Sequence, residues 1–295
     1  MIDSTPITIR QALDRAAGHL SSAGRGFAAR DAELLLAHTL RSERELFFRE
    51  PERILGAGEL ERFEASVARR AAGEPLQHIT GVQEFWSMEF RADGRALIPR
   101  PETEHLVEAA LERIPVDADT HLLDLCTGSG IVAAVLARER PRAVVTATDI
   151  SPRALALAWE NVRHLDLGDR IRLLQGDLFE PLGRQGPGFH IITANPPYIS
   201  VDELAELDRE VRDHEPLEAL DGGPDGTTVI RRIIERAAPF LRPGGWLLME
   251  VVAGQWGTVA KIAASAIKWG EPAWVRDLAG YRRVLCLPFG QSCGC

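Results

Sequence analysis

Cysteine is scarce in this chain, and basic residues are outnumbered. Only Cys126, Cys286, Cys293 and Cys295 occur among 295 residues, too few and too unevenly placed for a disulfide framework, so a reducing compartment is expected. The Cys293-Gly294-Cys295 tail has no nearby His or second Cys pair to complete a metal site, and no metal is expected. Lys and Arg number 34 against 43 Asp and Glu, a net charge of −9. That balance is the opposite of a phosphate-tracking surface and makes nucleic acid the weaker partner. Met1 to Arg10 lacks the basic segment and apolar core of a secretion signal, and no apolar run approaches the ~20 residues that span a bilayer. Repeats and low-complexity tracts are also missing. What remains is a soluble, cytoplasmic chain, long enough for one large domain with a smaller companion.

The first 75 residues read as a helical unit. Thr8-Ile9-Arg10-Gln11 has the form of a capping box, and Ile9, Leu13, Ala16, Ala17 and Leu20 then share one helical face. Asp31 is placed to cap a second helix carrying Leu34, Leu35 and Leu36, and Leu60, Phe63 and Val67 mark another that Gly73 and Pro75 end. Such a bundle could be a stabilising cap or a docking surface for a large substrate. Residues 76–103 form a linker in which Trp86, Met88 and Phe90 alternate with Ser87 and Glu89. An Ala92-Asp93-Gly94 turn and a second extended stretch to Ile98 make a β-hairpin there.

Over 104–295 strands and helices alternate, the pattern of an α/β fold with a helix-wrapped parallel sheet. Strands are expected at His121–Leu125, Ala143–Thr148, Arg170–Leu174, His190–Ala194 and Trp246–Val252, with helices such as Pro152–Leu165 and Thr227–Leu241 between them. Trp274–Arg276 and Arg282–Leu287, joined by a tight turn at Gly280, add two more strands.

The first of these strands runs into Asp124-Leu125-Cys126-Thr127-Gly128-Ser129-Gly130 and the apolar helix Ile131–Arg138. A strand, a glycine-containing turn and a helix let backbone approach a ligand and offer helix N–H groups to an anion. A nucleotide, a dinucleotide or S-adenosylmethionine would all fit. Asp149 ends the next strand, 25 residues after Asp124, where a carboxylate can accept from ribose hydroxyls. Ser151 before Pro152 already supplies the cap of the following helix. Asp177 follows the third strand where an adenine edge would lie, and Leu178 and Phe179 could wall an apolar slot or pack in the core.

Asn195-Pro196-Pro197-Tyr198, after the fourth strand, is the most informative feature. Two prolines fix φ and remove two backbone donors, which leaves a rigid loop of acceptors. The Asn195 oxygen and the Pro196 carbonyl can each take one hydrogen of an –NH₂ group while Tyr198 covers its flat face. A planar amide or exocyclic amine suits that geometry. Its delocalised lone pair is weakly nucleophilic, so both N–H bonds must be held while nitrogen faces an electrophilic methyl in line.

Three further segments carry a family likeness. They are Glu74-Pro75-Leu76-Gln77-His78-Ile79-Thr80-Gly81 with Glu84-Phe85-Trp86-Ser87, Leu97-Ile98-Pro99-Arg100-Pro101-Glu102-Thr103-Glu104, and Ala219-Leu220-Asp221-Gly222-Gly223-Pro224-Asp225-Gly226. With Asn-Pro-Pro-Tyr, over nearly its whole length, the chain resembles the HemK/PrmC family of release factor glutamine methyltransferases. The resemblance implies a Rossmann-like seven-stranded S-adenosylmethionine-dependent fold, its last strand antiparallel, behind a helical substrate-docking domain. It implies a peptide chain release factor as partner and substrate, and a monomer that touches neither nucleic acid directly nor a membrane. By the same likeness Cys126, Thr127, Gly128, Ser129 and Gly130 would meet the methionine part of S-adenosyl-L-methionine, Asp149 the ribose, and Asp177 with Leu178 the adenine. Asn195, Pro196, Pro197 and Tyr198 would grip the glutamine amide of a Gly-Gly-Gln motif, Asn195 would also contact the cofactor, and Arg100 with Glu102 would help close the cofactor site.

Two departures stand out. Cys126 occupies a position where the family usually has glycine, and Glu250-Val251-Val252-Ala253-Gly254-Gln255 replaces a Glu-Ile-Gly pattern. An amino-methyltransferase acting on adenine in DNA or a base in RNA is the main alternative, disfavoured by the net charge and the acidic stretch Asp202–Glu218. A degenerate fold that only binds would have no need of the amide clamp.

Overall fold

In the computed structural model, residues 6–183, 188–266 and 269–290 are described, so the Cys293 and Cys295 tail lies outside the described residues. The chain forms two units. The smaller comprises Met1–Val82 together with Asp208–His214. Its first helix, Ile9–Ser22, starts at a reciprocal cap in which the Thr8 hydroxyl accepts from the Gln11 N–H and the Gln11 side chain accepts from the Thr8 N–H. Helices Ala28–Leu40 and Ala57–Ala71 pack on it around Ile9, Leu20, Leu35, Leu36 and Phe63, all buried. Asp31 does not cap. The second helix begins three residues earlier at Ala28, and Asp31 turns inward to accept from Arg70 Nε at 2.7 Å. Arg70 also pairs with Glu210 at 2.8 Å, so a buried guanidinium ties the short segment Asp208–His214 into this unit.

The hairpin at the start of the larger unit is built differently from its sequence expectation. Its strands are β1 (Val82–Phe85) and β2 (Met88–Arg91), and the turn falls at Trp86-Ser87 rather than at Ala92-Asp93-Gly94. Both turn residues have positive φ, 53° and 54°, the conformation a two-residue hairpin turn needs. Neither is a usual choice for it. Trp86 is held from outside: its N–H donates to Glu104 Oε1 at 3.0 Å and its indole N–H to Glu139 Oε1 at 3.1 Å. Residues 92–98 form no strand, because Arg95 folds back to chelate Asp93 and reach Glu160.

The main sheet contains β3 (Thr120–Leu125), β4 (Ala143–Asp149), β5 (Ile171–Gln175), β6 (Phe189–Ala194), β7 (Leu241–Glu250), β8 (Ala273–Arg276) and β9 (Arg282–Pro288). Their order is β5-β4-β3-β6-β7-β9-β8, parallel from β5 through β7, with β9 antiparallel between β7 and β8. Leu122, Leu123 and Leu125 are all buried because helices cover both faces of the central strands. β7 starts earlier than the alternation suggests and stops at Glu250, leaving Val251 and Val252 in the following turn. The expected helix Thr227–Leu241 ends at Arg236, where Pro239 forces a 3₁₀ turn. No helix among the described residues is long and apolar enough to cross a membrane.

Asn161 joins the hairpin to the sheet. Fully buried, it accepts from the Arg91 N–H at 2.7 Å and donates to the carbonyls of Arg91 and Ser129 at 3.2 and 3.0 Å. Asn161→Ala strands those backbone groups and should destabilise the protein by about 2–3 kcal/mol, read from the urea midpoint. A loss within experimental error would mean that the three bonds contribute nothing net.

Candidate active site

β3, β4, β5 and β6 point the same way, so the loops after Leu125, Asp149, Gln175 and Ala194 gather at one edge of the sheet. A cavity opens there. Its lining includes Cys126, Thr127, Gly128, Ser129, Asp149, Asp177, Leu178, Asn195 and Pro197, joined by Thr103, Asp124 and Ile150. Arg100, Gly130, Pro196 and Tyr198 lie beside it rather than in its wall.

The loop after β3 turns through positive φ at Cys126 (55°), Gly128 (55°) and Gly130 (79°). At Gly128 an added Cβ would meet open space, so the glycine is needed for its backbone conformation. Cys126 adopts the same region with a side chain present, a conformation that disfavours a Cβ by about 1 kcal/mol. Gly130 heads the helix Ile131–Glu139 and packs against Ala158. Beneath the loop lies Asp124, 2 % exposed, accepting from the Thr127 hydroxyl at 2.6 Å and the Thr193 hydroxyl at 2.7 Å. Burial pushes its carboxyl up to about 6, against the pull of those two hydroxyls.

Asp149 accepts from the Gly128 N–H at 2.8 Å and the Ser151 N–H at 2.9 Å, one on each carboxylate oxygen. Each oxygen keeps a lone pair for a further donor. Ser151 caps the next helix, which leaves Asp149 free of that duty. Asp177 pairs with Arg232 Nη2 at 2.5 Å, and both line the cavity. Leu178 stands at φ 51°, its carbonyl held by the Thr148 hydroxyl at 3.0 Å. Acceptors for ribose, an apolar wall of Ile150 and Leu178, and the carboxylates of Asp124, Asp149 and Asp177 suit a cationic nucleoside such as S-adenosylmethionine.

At the next strand end, Asn195 Nδ2 donates to the Thr103 hydroxyl at 3.2 Å, which leaves the Oδ1 end turned away from Thr103. The Tyr198 carbonyl accepts from Gln255 Nε2 at 2.7 Å. Behind it, Ile199 exchanges backbone bonds with Leu220 and Gly222, and a Cβ on Gly226 would fall 2.3 Å from the Tyr198 oxygen. The Ala219–Gly226 segment is therefore a buttress for the proline loop. Burial, helped by the nearby Glu250 charge, pushes the Tyr198 phenol up to about 12, so it stays neutral. Arg100 pairs with buried Glu215 at 2.6 Å, and Glu215 also accepts from the Ile98 N–H at 3.3 Å. Through these bonds Arg100 shapes the segment that brings Leu97 and Pro99 to the cavity. None of Thr103, Gln255 and Arg232 was singled out for a role by sequence; Thr103 lay inside a segment that carries the family likeness and Gln255 at the end of the departing Glu250–Gln255 segment.

Burial, with the charges of Asp149, Asp124 and Asp177, pushes the Cys126 thiol well above its ordinary range. It should remain unmodified when the folded protein meets iodoacetamide at about pH 8, as read by peptide mass spectrometry. Labelling at the rate of a free thiol would contradict this. Asp124, whose ordinary value is 3.8, keeps its proton in the native state up to about 6. Its contribution to stability is therefore present at low pH and is lost as pH rises through about 6. Between about pH 5 and pH 7, Asp124→Asn should gain stability relative to the parent protein in urea titrations; a constant difference would remove the titration from Asp124.

Residues 11–81 match the PrmC N-terminal domain and residues 104–208 the Methyltransferase small domain. The release factor glutamine methyltransferase of Koribacter versatilis is 42 % identical over 281 residues, covering 95 % of this chain and 98 % of that protein. The protein of the same name from Moorella thermoacetica is 42 % identical over 277 residues, covering 94 % and 97 %. A crystal structure of a methyltransferase from Pyrococcus furiosus superposes with a TM-score of 0.51 at 15 % identity, over 77 % of this chain and 97 % of that one, which shows the shared fold alone. With that identity running along nearly the whole of both sequences, the chain belongs to the release factor glutamine methyltransferase family.

Proposed function

We propose that this protein methylates the side-chain amide nitrogen (N5) of the glutamine in the Gly-Gly-Gln motif of peptide chain release factors, acting as a monomer in the cytoplasm without direct nucleic-acid contact. The observation that carries the amide-methylation chemistry is the orientation of Asn195, and the family relationship supports glutamine as the substrate. The Asn195 Nδ2 is engaged by Thr103, so its oxygen is the end left to accept an N–H, beside a proline pair that offers no donor. When bound, S-adenosyl-L-methionine supplies an electrophilic methyl that passes from sulfur to nitrogen as the C–S bond breaks and the C–N bond forms. Asp149 holds the ribose, the Cys126–Gly130 loop holds the methionine end, and Asp177 with Leu178 borders the adenine.

Asn195 and the Pro196 carbonyl each take one amide hydrogen, which fixes the nitrogen in line and draws electron density toward it. Tyr198, neutral and with its backbone clamped by Gln255, covers the amide plane. Proton loss accompanies or follows attack, so no strong base is needed beforehand. An adenine or RNA base presents a similar amine, but the net charge of −9 opposes holding a polyanion.

The test is methyl transfer from labelled cofactor to a purified release factor, beside a copy whose Gly-Gly-Gln glutamine is alanine. Label on the first and not the second is expected; label on neither, with cofactor binding intact, would overturn the substrate assignment. Asn195→Ala should lower kcat by about 100- to 1000-fold while changing cofactor affinity far less. Equal loss of both would refute the role given to Asn195.

A further inference from the structure

The cavity at the ends of the parallel strands is lined by carboxylates, Asp124, Asp149 and Asp177 among them, which suits a cofactor carrying a positive sulfonium. Two permanent cations, Arg95 and Arg232, line it as well, and each should repel that ligand. Arg95 is spent on Asp93 and Glu160, to which its guanidinium donates at 2.7 to 3.1 Å. Arg232 is different. Among the described residues its one ion pair runs from Nη2 to Asp177 Oδ2 at 2.5 Å, and the two side chains are 37 % and 30 % exposed. A pair so open to water adds little to stability, so the fold alone gives no reason to keep a cation in this wall.

Arg232 belongs to the helix Thr228–Arg236, three residues after Val229 and so on the same helical face, and Val229 lines the cavity too. That face also meets Asp177 through the ion pair. Held by Oδ2, the Asp177 carboxylate loses its freedom to swing, and Oδ1 is the oxygen left to accept from a ligand. We propose that Arg232 is a positioning residue for cofactor selection: it holds Asp177 so that the second oxygen meets the exocyclic amine of adenine, which makes the site selective for a 6-aminopurine nucleoside. The inference rests on the reading above that sets Asp177 beside the adenine.

The same placement resolves the conflict of charge. In that reading the sulfonium lies at the methionine end of the cofactor, by the Cys126–Gly130 loop, while the guanidinium stands at the adenine end with its field largely cancelled by Asp177. The cation therefore repels little, and what it contributes is the orientation of an acceptor.

Calorimetric titration tests this without any turnover, using S-adenosylhomocysteine and its analogue in which hydrogen replaces the 6-amino group. The parent protein should prefer the amine by about tenfold, as one hydrogen bond to a charged acceptor allows. Arg232→Met, which keeps the reach of the side chain without its charge or donors, should erase most of that preference, and so should Asp177→Ala. The preference is a ratio within one protein, so a variant that folds poorly weakens both titrations and leaves the ratio intact. A preference lost in Asp177→Ala but kept in Arg232→Met overturns the proposal and leaves the adenine reading standing. No preference in the parent protein overturns the adenine reading, and the proposal falls with it. S-adenosylmethionine supplies a second check. Arg232→Met should weaken S-adenosylmethionine and S-adenosylhomocysteine by the same factor; tighter binding of S-adenosylmethionine alone would mean that Arg232 acts only by its charge on the sulfonium and would also overturn the proposal.

Discussion

The carboxylate of Asp124 is the junction on which the site depends. It sits at the heart of the sheet and accepts from Thr127, in the loop after β3, and from Thr193, two residues before Asn195 on β6. One buried group thereby sets the distance between the loop expected to hold the cofactor and the loop expected to hold the substrate. Methyl transfer tolerates little error in that distance, because donor carbon and acceptor nitrogen must meet in line. An apolar residue at 124 could fill the same space but could not bind two hydroxyls at once. Holding a carboxylate where water is excluded raises its proton affinity, which is the visible consequence of using it as a fastener.

Backbone strain is concentrated around the same edge of the sheet. Cys126 and Leu178 have positive φ despite carrying side chains, and each is held by an ordinary bond from its neighbours: the Thr127 N–H reaches the Thr148 carbonyl at 3.1 Å, and the Thr148 hydroxyl reaches the Leu178 carbonyl at 3.0 Å. β4 therefore anchors both flanking loops. The strained turns aim backbone into the cavity, and the unstrained strand between them bears the load.

Much of this was legible in the sequence because it is local. The parallel strands show as short apolar runs, the cap at Thr8 as a four-residue pattern, and the proline loop as a run with no donors. The misses share a cause: each is decided by a partner far along the chain. Trp86 and Ser87 make a turn that neither favours, because Glu104 holds the Trp86 backbone N–H and Glu139 its indole. Asp31 leaves its expected cap for Arg70, and Arg70 also captures Glu210. The contact of Thr103 with Asn195 spans 92 positions. Periodicity records which face of an element is buried, and says nothing about which polar group waits on the other side.

The proline loop also limits what can be decided at the reacting atoms. An adenine amine and a glutamine amide both present two N–H bonds in a plane with a delocalised lone pair, and an acceptor-only loop welcomes either. Discrimination must therefore come from the remainder of the molecule, where the two substrates differ in charge and shape. A nucleic acid requires a cationic track for its phosphates, whereas the balance here is nine charges toward the acidic side. A protein loop requires only that its glutamine reach the acceptors and that its neighbours find complementary surface. The family relationship and the charge thus converge on a polypeptide for independent reasons, one historical and the other electrostatic. The orientation of Asn195 supplies the chemistry common to both substrates; the acidic balance of the whole chain is what makes the polyanion the poorer guest.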